Sequence, residues 1–312
     1  MKKIIFMGTP DFAVPVLEGL IKEDYHIDLV VTQPDRPRGR KKILTPPPVK
    51  AAAEKHDIPV FQPEKIKDDY EEIKKRNPDL IVTAAFGQIL PKGLLEIPKF
   101  GCINVHASLL PKLRGGAPIH YAILEGHDKT GISIMYMAEK LDAGDVISQK
   151  EVTIEDNDDV ATLHDKLSEL GADLLLETIP SIFSGEANRK PQDDSQTTFA
   201  PNITRDQEKI DWTQPQQDVY NRIRGLHPWP VAFTTWNGKV LKVYQAAKVN
   251  KTTNEQAGSV IDISEEGLLV ATGDHKAIQL TVVQPAGKKK MTTADFLRGV
   301  GSNMTVGEKL GE

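Results

Sequence analysis

A single cysteine, Cys102, stands among 312 residues, which excludes an internal disulfide framework and any thiolate-clustered zinc site. The eight histidines show no HExxH or comparable ligand spacing, so no metal site is expected. No apolar run approaches the ~18 residues of a membrane span. The opening MKKIIFMGTP places few apolar residues after its two lysines, too few for a signal-peptide core. These absences predict a cytoplasmic protein. Residues 8–10 are a bare Gly-Thr-Pro, and neither GxxxxGK[ST] nor GxGxxG follows the first apolar run. A nucleotide hydrolase or nicotinamide oxidoreductase is therefore not expected. There is no internal repeat and no low-complexity tract.

What is present describes an ordinary soluble chain, 39% hydrophobic and 27% charged, long enough for two domains with adequate cores. The formal net charge of −5 does not advertise a polyanion-binding protein, but its distribution is uneven. Residues 33–50 carry Arg36, Arg38, Arg40, Lys41, Lys42 and Lys50 against Asp35 alone, a net of +5. Proline and glycine are interleaved there, which reads as an exposed loop. A second basic knot, Lys288-Lys289-Lys290, reads by itself as solvated surface.

Apolar runs at 3–8, 27–32, 59–61, 79–86 and 102–107 predict strands, with further strands at 131–137 and 146–154. Residues 10–23 place Phe12, Val16, Leu17, Leu20 and Ile21 on one helical face, and 47–57, 64–77 and 158–184 also suit helices. Continuous apolar strands separated by helices predict an open, mostly parallel, Rossmann-like α/β sheet covered on both faces. Residues 185–208 are polar, proline-bearing and aperiodic, an interdomain connector. Beyond a short helix at 214–224, short strands punctuated by glycine and Asn-Gly predict a small, OB-like β-barrel. Trp212, Trp229 and Trp236 read there as packing rather than as base-stacking platforms. The boundaries drawn are a first domain over 1–188, a linker over 189–207 and a barrel over 208–312.

Asn104 and His106 alternate with Ile103 and Val105 on the strand CINVH, so the two polar side chains share a face. They sit at the carboxyl end of a parallel strand, where open α/β sheets bind ligands. An amide donor beside an imidazole suits a developing oxyanion. An isolated Asn-x-His reads more readily as a turn cap and a satisfied structural histidine than as an oxyanion device; the loop that follows shifts the balance. The loop that follows, ASLLPKLRGGAP, combines prolines that fix φ with glycines that permit close backbone approach. In LDAGD, Asp142 could pair with His106 and relay a proton, although a turn aspartate is commonly just that. Cys102 invites a nucleophile reading, which fails because no basic partner is assigned to it.

FMGTPDFAVPVL, VVTQPDRPRGRKK, AAFGQILP, INVHASLLPKLRGGAPI and LDAGD, in that order, resemble the folate-dependent formyltransferases, and most closely their methionyl-tRNA branch. IDW at 210–212, HPWPVAF at 227–233 and PAGKKKM at 285–291 extend the likeness over nearly the whole chain. The resemblance implies transfer of formyl from 10-formyltetrahydrofolate, as co-substrate, to the amine of methionine on initiator tRNA, with no covalent enzyme intermediate and no metal. It puts the catalytic positions on Asn104, His106 and Asp142. It puts folate contacts on Phe86, Gly87, Gln88, Ile89 and Leu90, on Ser108, Leu109, Leu110 and Pro111, and on Lys140 and Leu141. It makes Arg36, Arg38, Gly39, Arg40, Lys41 and Lys42, with Lys288, Lys289 and Lys290, contacts to initiator methionyl-tRNA. A monomer is the default expectation. An amino-sugar formyltransferase is the alternative within the class, and the arginine loop, HPWPVAF and the 206–312 region weigh against it. A tRNA-binding module with a vestigial catalytic domain is the alternative outside the class, and the intact trio weighs against that.

Overall fold

The computed structural model describes residues 2–39 and 41–312, and the backbone alone of Arg38. Contacts divide the chain into two compact units: residues 1–118, 129–153 and 164–201, and residues 119–128, 154–163 and 202–312.

In the first unit, chain order runs β1 (Lys3–Gly8), α1 (Val14–Lys22), β2 (His26–Val31), β3 (Arg36–Arg38), β4 (Ile43–Thr45), α2 (Pro48–Lys55), β5 (Val60–Phe61), α3 (Glu71–Arg76), β6 (Leu80–Ala84), α4 (Lys92–Leu95) and β7 (Cys102–His106). After α5 (Pro118–Leu124), which past its first residue belongs to the second unit, come β8 (Lys129–Tyr136), β9 (Val146–Thr153) and α6 (Val160–Ser184), whose first four residues also belong to the second unit. Seven strands form one sheet in the order β5-β2-β1-β6-β7-β8-β9. The first five are parallel, while β8 runs antiparallel to β7 and β9 antiparallel to β8. The sheet is thus open and mostly parallel, as its buried, continuously apolar strands predict. Ile4, Ile5, Phe6 and Met7 of β1 are fully buried, because helices and loops cover both faces. On one face Ile5, Met7, Leu29, Val31, Ile81 and Cys102 join a core cluster with Phe86, Leu90 and Leu94. On the other, Gly171 of α6 packs so closely on β7 that a Cβ there would lie 2.8 Å from Val105 Cγ1.

Sequence reasoning assigns nothing to α4 and α5 and misjudges two further elements. The expected helix at 64–77 shortens to the six residues of α3, which ends at Asn77 in the left-handed conformation (φ 48°). The basic loop is a two-stranded hairpin, with Arg36 opposite Thr45 and Arg38 opposite Ile43. Three residues per strand are too few for a legible period of two.

The second unit contains α7 (Gln216–Arg224), then β10 (Phe233–Trp236), β11 (Lys239–Thr252), β12 (Val260–Ser264), β13 (Gly267–Ala271), β14 (Lys276–Pro285), β15 (Met291–Thr292) and α8 (Thr293–Arg298). The antiparallel order is β10-β11-β14-β13-β12, with β15 beside β14. The gap between the two outer strands is bridged by the final residues. Val260 N–H donates to Glu308 O, Gly307 N–H to Val260 O and Gly311 N–H to Thr235 O. The tail thus satisfies β12 on one side and β10 on the other, which turns an open sheet into a small barrel. Trp212 is buried and donates to Thr234 Oγ1 at 3.0 Å, and Trp236 packs edge-on against Phe296. Both fill the barrel interior, whereas Trp229 is 46% exposed. No helix among the described residues is long and apolar enough to cross a membrane.

Candidate active site

β7 sets the site. Ile103 and Val105 face α6, so Asn104 and His106 emerge on the opposite face of the sheet. The neighbouring strand β6 supplies Thr83, whose hydroxyl donates to Asn104 Oδ1 at 2.8 Å. With its oxygen engaged, the Asn104 amide presents its NH2 group outward. His106 is buried, and its Nε2 donates to the Leu113 carbonyl at 3.0 Å, an oxygen that can only accept. The imidazole is thereby oriented with Nδ1 toward Asp142, whose Oδ2 lies 3.8 Å away. That separation exceeds a direct hydrogen bond, as is common before substrate binds. Asn104 and His106 on β7 and Asp142 in the turn between β8 and β9, distant in sequence, converge on one patch.

Asp142 is held from two sides. Its Oδ2 accepts from Gly115 N–H at 2.9 Å, in the loop after β7. Its backbone is left-handed at φ 47°, an uncommon state for a residue with a Cβ. Gly144, two residues on, lies against the backbone carbonyl of Tyr136 so tightly that a Cβ would overlap it. Here glycine is required by space.

The polar stretch after α6 has no helix or sheet strand of its own up to residue 193, yet it is pinned along its length. Arg189 Nε donates to Asp145 Oδ2 at 3.1 Å, and Lys190 and Val146 exchange backbone hydrogen bonds of 2.9 Å. Gln192 Nε2 donates to the carbonyls of Asp142 and Gly144 at 2.8 and 2.7 Å. Asp194 accepts from Lys140 Nζ at 2.7 Å and from the Arg114 guanidinium at 2.9 Å. Those two cations, Lys140 first, hold its carboxyl below the usual carboxylate range. Further on, Thr198 and Ala200 pair with Leu113, Arg114 and Ala117 through backbone and hydroxyl bonds. Arg114, 1% exposed, is the largest fully buried side chain among the described residues. Arg114, Gln192 and Thr83 carry no sequence signal of this role. Their partners are distant, and an aperiodic polar segment offers nothing to count.

The expected folate residues fall on three loops around this patch. Phe86 and Leu90 are buried, Gly87 is left-handed at φ 88°, and Ile89 is 76% exposed. Gln88 is occupied within the protein: its Oε1 accepts from Ile66 N–H at 2.7 Å and its Nε2 donates to Gln33 Oε1 at 3.2 Å. Ser108 is buried and donates to Lys112 O, Leu110 is buried, and Leu109 and Pro111 are partly exposed. Lys140 is exposed and Leu141 is 52% exposed. Cys102 is buried beside Asn104, and burial pushes its thiol up to about 12, so it is not a thiolate nucleophile at neutral pH. Among the described residues no cluster of His, Cys, Asp and Glu fits a metal ion.

Of the expected tRNA contacts, Arg36 forms an exposed ion pair with Glu64 at 2.6 Å. Lys50 is paired with Asp35 at 2.9 Å; hydrogen bonds from Gln62, then Lys50, hold the Asp35 carboxyl low. Gly39 is left-handed at φ 70° in the turn of the hairpin, and Lys41 and Lys42 are exposed without ion pairs among the described residues. Arg40 and the Arg38 side chain lie outside the described residues. Lys288, Lys289 and Lys290 are exposed in the turn after β14, with Lys290 Nζ 5.1 Å from the centre of the Tyr244 ring.

Residues 1–179 match the model of the family described as formyl transferase, and residues 202–301 that of the formyl transferase C-terminal domain. The methionyl-tRNA formyltransferase of Geobacillus sp. (strain WCH70) is 62% identical over 314 aligned residues, covering 100% of this chain and 99% of that one. That of Halalkalibacterium halodurans is 63% identical, covering 99% and 98%. Among solved structures, the sugar 3N-formyl transferase WlaRD superposes with a TM-score of 0.68 at 18% identity, covering 93% of this chain and 99% of that one. HypX from Aquifex aeolicus, in complex with tetrahydrofolic acid, gives a TM-score of 0.65 at 16% identity, covering 95% and 47%. Those two likenesses establish the shared fold. With both family domains in place and full-length relatives near this level of identity, the chain belongs to the methionyl-tRNA formyltransferase family and is a formyl-transferring enzyme.

Proposed function

We propose that Asn104, His106 and Asp142 carry the transfer of formyl from 10-formyltetrahydrofolate to the free amine of initiator methionyl-tRNA. The observation that carries this assignment is the convergence of an outward amide, an oriented imidazole and a carboxylate on one face of β7. The folate co-substrate supplies the formyl carbon, and the attacking nitrogen comes from the aminoacyl end. As the amine adds, charge gathers on the formyl oxygen. Asn104 Nδ2 donates to that oxygen, and protonated His106 stabilises it through Nδ1, since Nε2 is committed to Leu113. Asp142 faces the same nitrogen of His106 and takes up the proton lost by the amine; as the intermediate collapses, the bond from the formyl carbon to the folate nitrogen breaks and that proton leaves on the tetrahydrofolate nitrogen. Positioning of two large substrates supplies much of the remaining rate.

Uncovered apolar side chains on two of the three folate loops, Ile89 and Leu141, support folate binding here. A planar heterocycle would cover such surface. Residues 86–90, 108–111 and 140–141 form this binding set in the proposal. Arg36, Arg38, Gly39, Arg40, Lys41 and Lys42 of the hairpin, and Lys288 to Lys290, meet tRNA phosphates, with affinity following the local field rather than net charge. The proposal takes residues 1–188 as catalytic, 189–207 as a linker whose residues up to 201 pack with the catalytic unit, and 208–312 as the tRNA-binding barrel, in a cytoplasmic monomer.

The test offers three acceptors with 10-formyltetrahydrofolate: methionyl initiator tRNA, methionyl elongator tRNA and glycinamide ribonucleotide. Initiator tRNA is expected to be formylated in large preference to both others. Initiator tRNA bound but left unmodified, or glycinamide ribonucleotide used equally well, overturns the reading.

A further inference from the structure

We propose that Gln192 is a positioning residue for formyl transfer, fixing the Asp142 turn so that the carboxylate stays aligned with His106. The inference rests on the catalytic reading of Asp142 above and concerns a residue more than eighty positions from His106 in sequence.

The geometry argues it atom by atom. A glutamine amide has two donors and an oxygen that accepts twice. Both donors of Gln192 go to the turn, one to Asp142 O at 2.8 Å and one to Gly144 O at 2.7 Å. Its oxygen accepts from Arg114 Nε at 3.1 Å and from the terminal nitrogen at 2.8 Å. No capacity is left over, and no part of the side chain reaches the imidazole. Gln192 therefore acts through the backbone of the residue it braces. That residue needs bracing, because a left-handed φ of 47° is costly for aspartate and persists where the surroundings over-determine it.

Arg114 anchors the brace. A guanidinium at 1% exposure is tolerable because Asp194 neutralises it at 2.9 Å while Gln192 takes two further protons. Asp194 also holds Lys140, two residues before Asp142. One short segment therefore grips the turn on both sides of Asp142. The adjacent Gly115 N–H then holds the carboxylate itself. Loss of Gln192 frees the turn carbonyls and removes two of the three hydrogen bonds that the Arg114 guanidinium makes here. The carboxylate then wanders by the ångström or so that matters for a proton-handling group.

The experiment is a double-mutant cycle on the full chain with initiator methionyl-tRNA. Gln192→Ala and the isosteric Gln192→Glu are made alone and in the Asp142→Ala background. The isostere keeps the Arg114 acceptor but sets a carboxylate oxygen against two carbonyls, so it tests the brace where the alanine fails to fold. In the native background each is expected to lower kcat roughly 10- to 100-fold, with the KM for folate within about twofold. In the Asp142→Ala background the same changes are expected to add less than about twofold, because the group they position is gone. An undiminished effect there, or an unchanged kcat in the native background, overturns the positioning role while leaving the catalytic reading intact. A fully active Asp142→Ala enzyme overturns both.

Discussion

His106 is oriented by a backbone carbonyl rather than by another side chain, so its removal should subtract chemistry more than structure. His106→Ala is expected to lower kcat by about 10²- to 10⁴-fold, with folate binding by fluorescence titration changed only slightly. Equal losses in both would count against its place in the transfer. Cys102 makes the opposite prediction. Its thiol, pushed up to about 12 by burial, stays protonated across the working range. Alkylation by iodoacetamide at pH 8, followed by mass spectrometry, should leave native protein unlabelled and label unfolded protein fully. Asp194 adds a pH signature. Its folded-state carboxyl is held low by Lys140 and Arg114, so its stabilising contribution is present above the unfolded value of about 4 and is lost as pH falls through the depressed one. The Tm difference between the native chain and Asp194→Asn should be largest near pH 7 and close below that range. A difference that grew on acidification would contradict the assignment.

At the scale of elements, the turn between β8 and β9 is shaped by lack of room. Gly144→Ala would drive a methyl into the Tyr136 carbonyl, so it should cost more than about 2 kcal/mol and abolish transfer, read by thermal melt and by single turnover. Near-native activity would show that Asp142 does not depend on that turn. The hairpin of β3 and β4 makes a gentler prediction. Replacing Lys41 and Lys42 by alanine should raise the KM for tRNA and reduce the salt slope by up to about one unit per lost phosphate contact, with folate binding untouched. The strands of the sheet were legible because burial on both faces writes uninterrupted apolar runs, as in KIIFMG and DLIVTAAF. Asn104 and His106 were legible because strand alternation puts them together. Asp142 needed the family resemblance, since a turn aspartate has no period. Arg114 and Gln192 stayed hidden because long-range pairing between two irregular segments leaves no local pattern.

For the molecule as a whole, Trp212, Trp229 and Trp236 all belong to the second unit, so tryptophan emission reports on that unit alone. Removing residues 306–312 strips the bonds to Val260 and Thr235 and the Trp236 Nε1 bond to Glu308. It should lower the urea midpoint seen by tryptophan fluorescence while folate binding persists. An unmoved midpoint would show that the barrel does not need its closing tail. The strap at 189–200 has a different consequence, one in time. A chain leaving the ribosome completes β7 and the Asp142 turn long before Gln192, Asp194 and Thr198 have been synthesised. On the proposed roles of His106, Asp142 and Gln192, the nascent chain then already contains its reactive groups but lacks what aligns them. A truncated protein ending at residue 179, where the match to the first family model stops, should fold its sheet and take up folate, yet turn over scarcely at all.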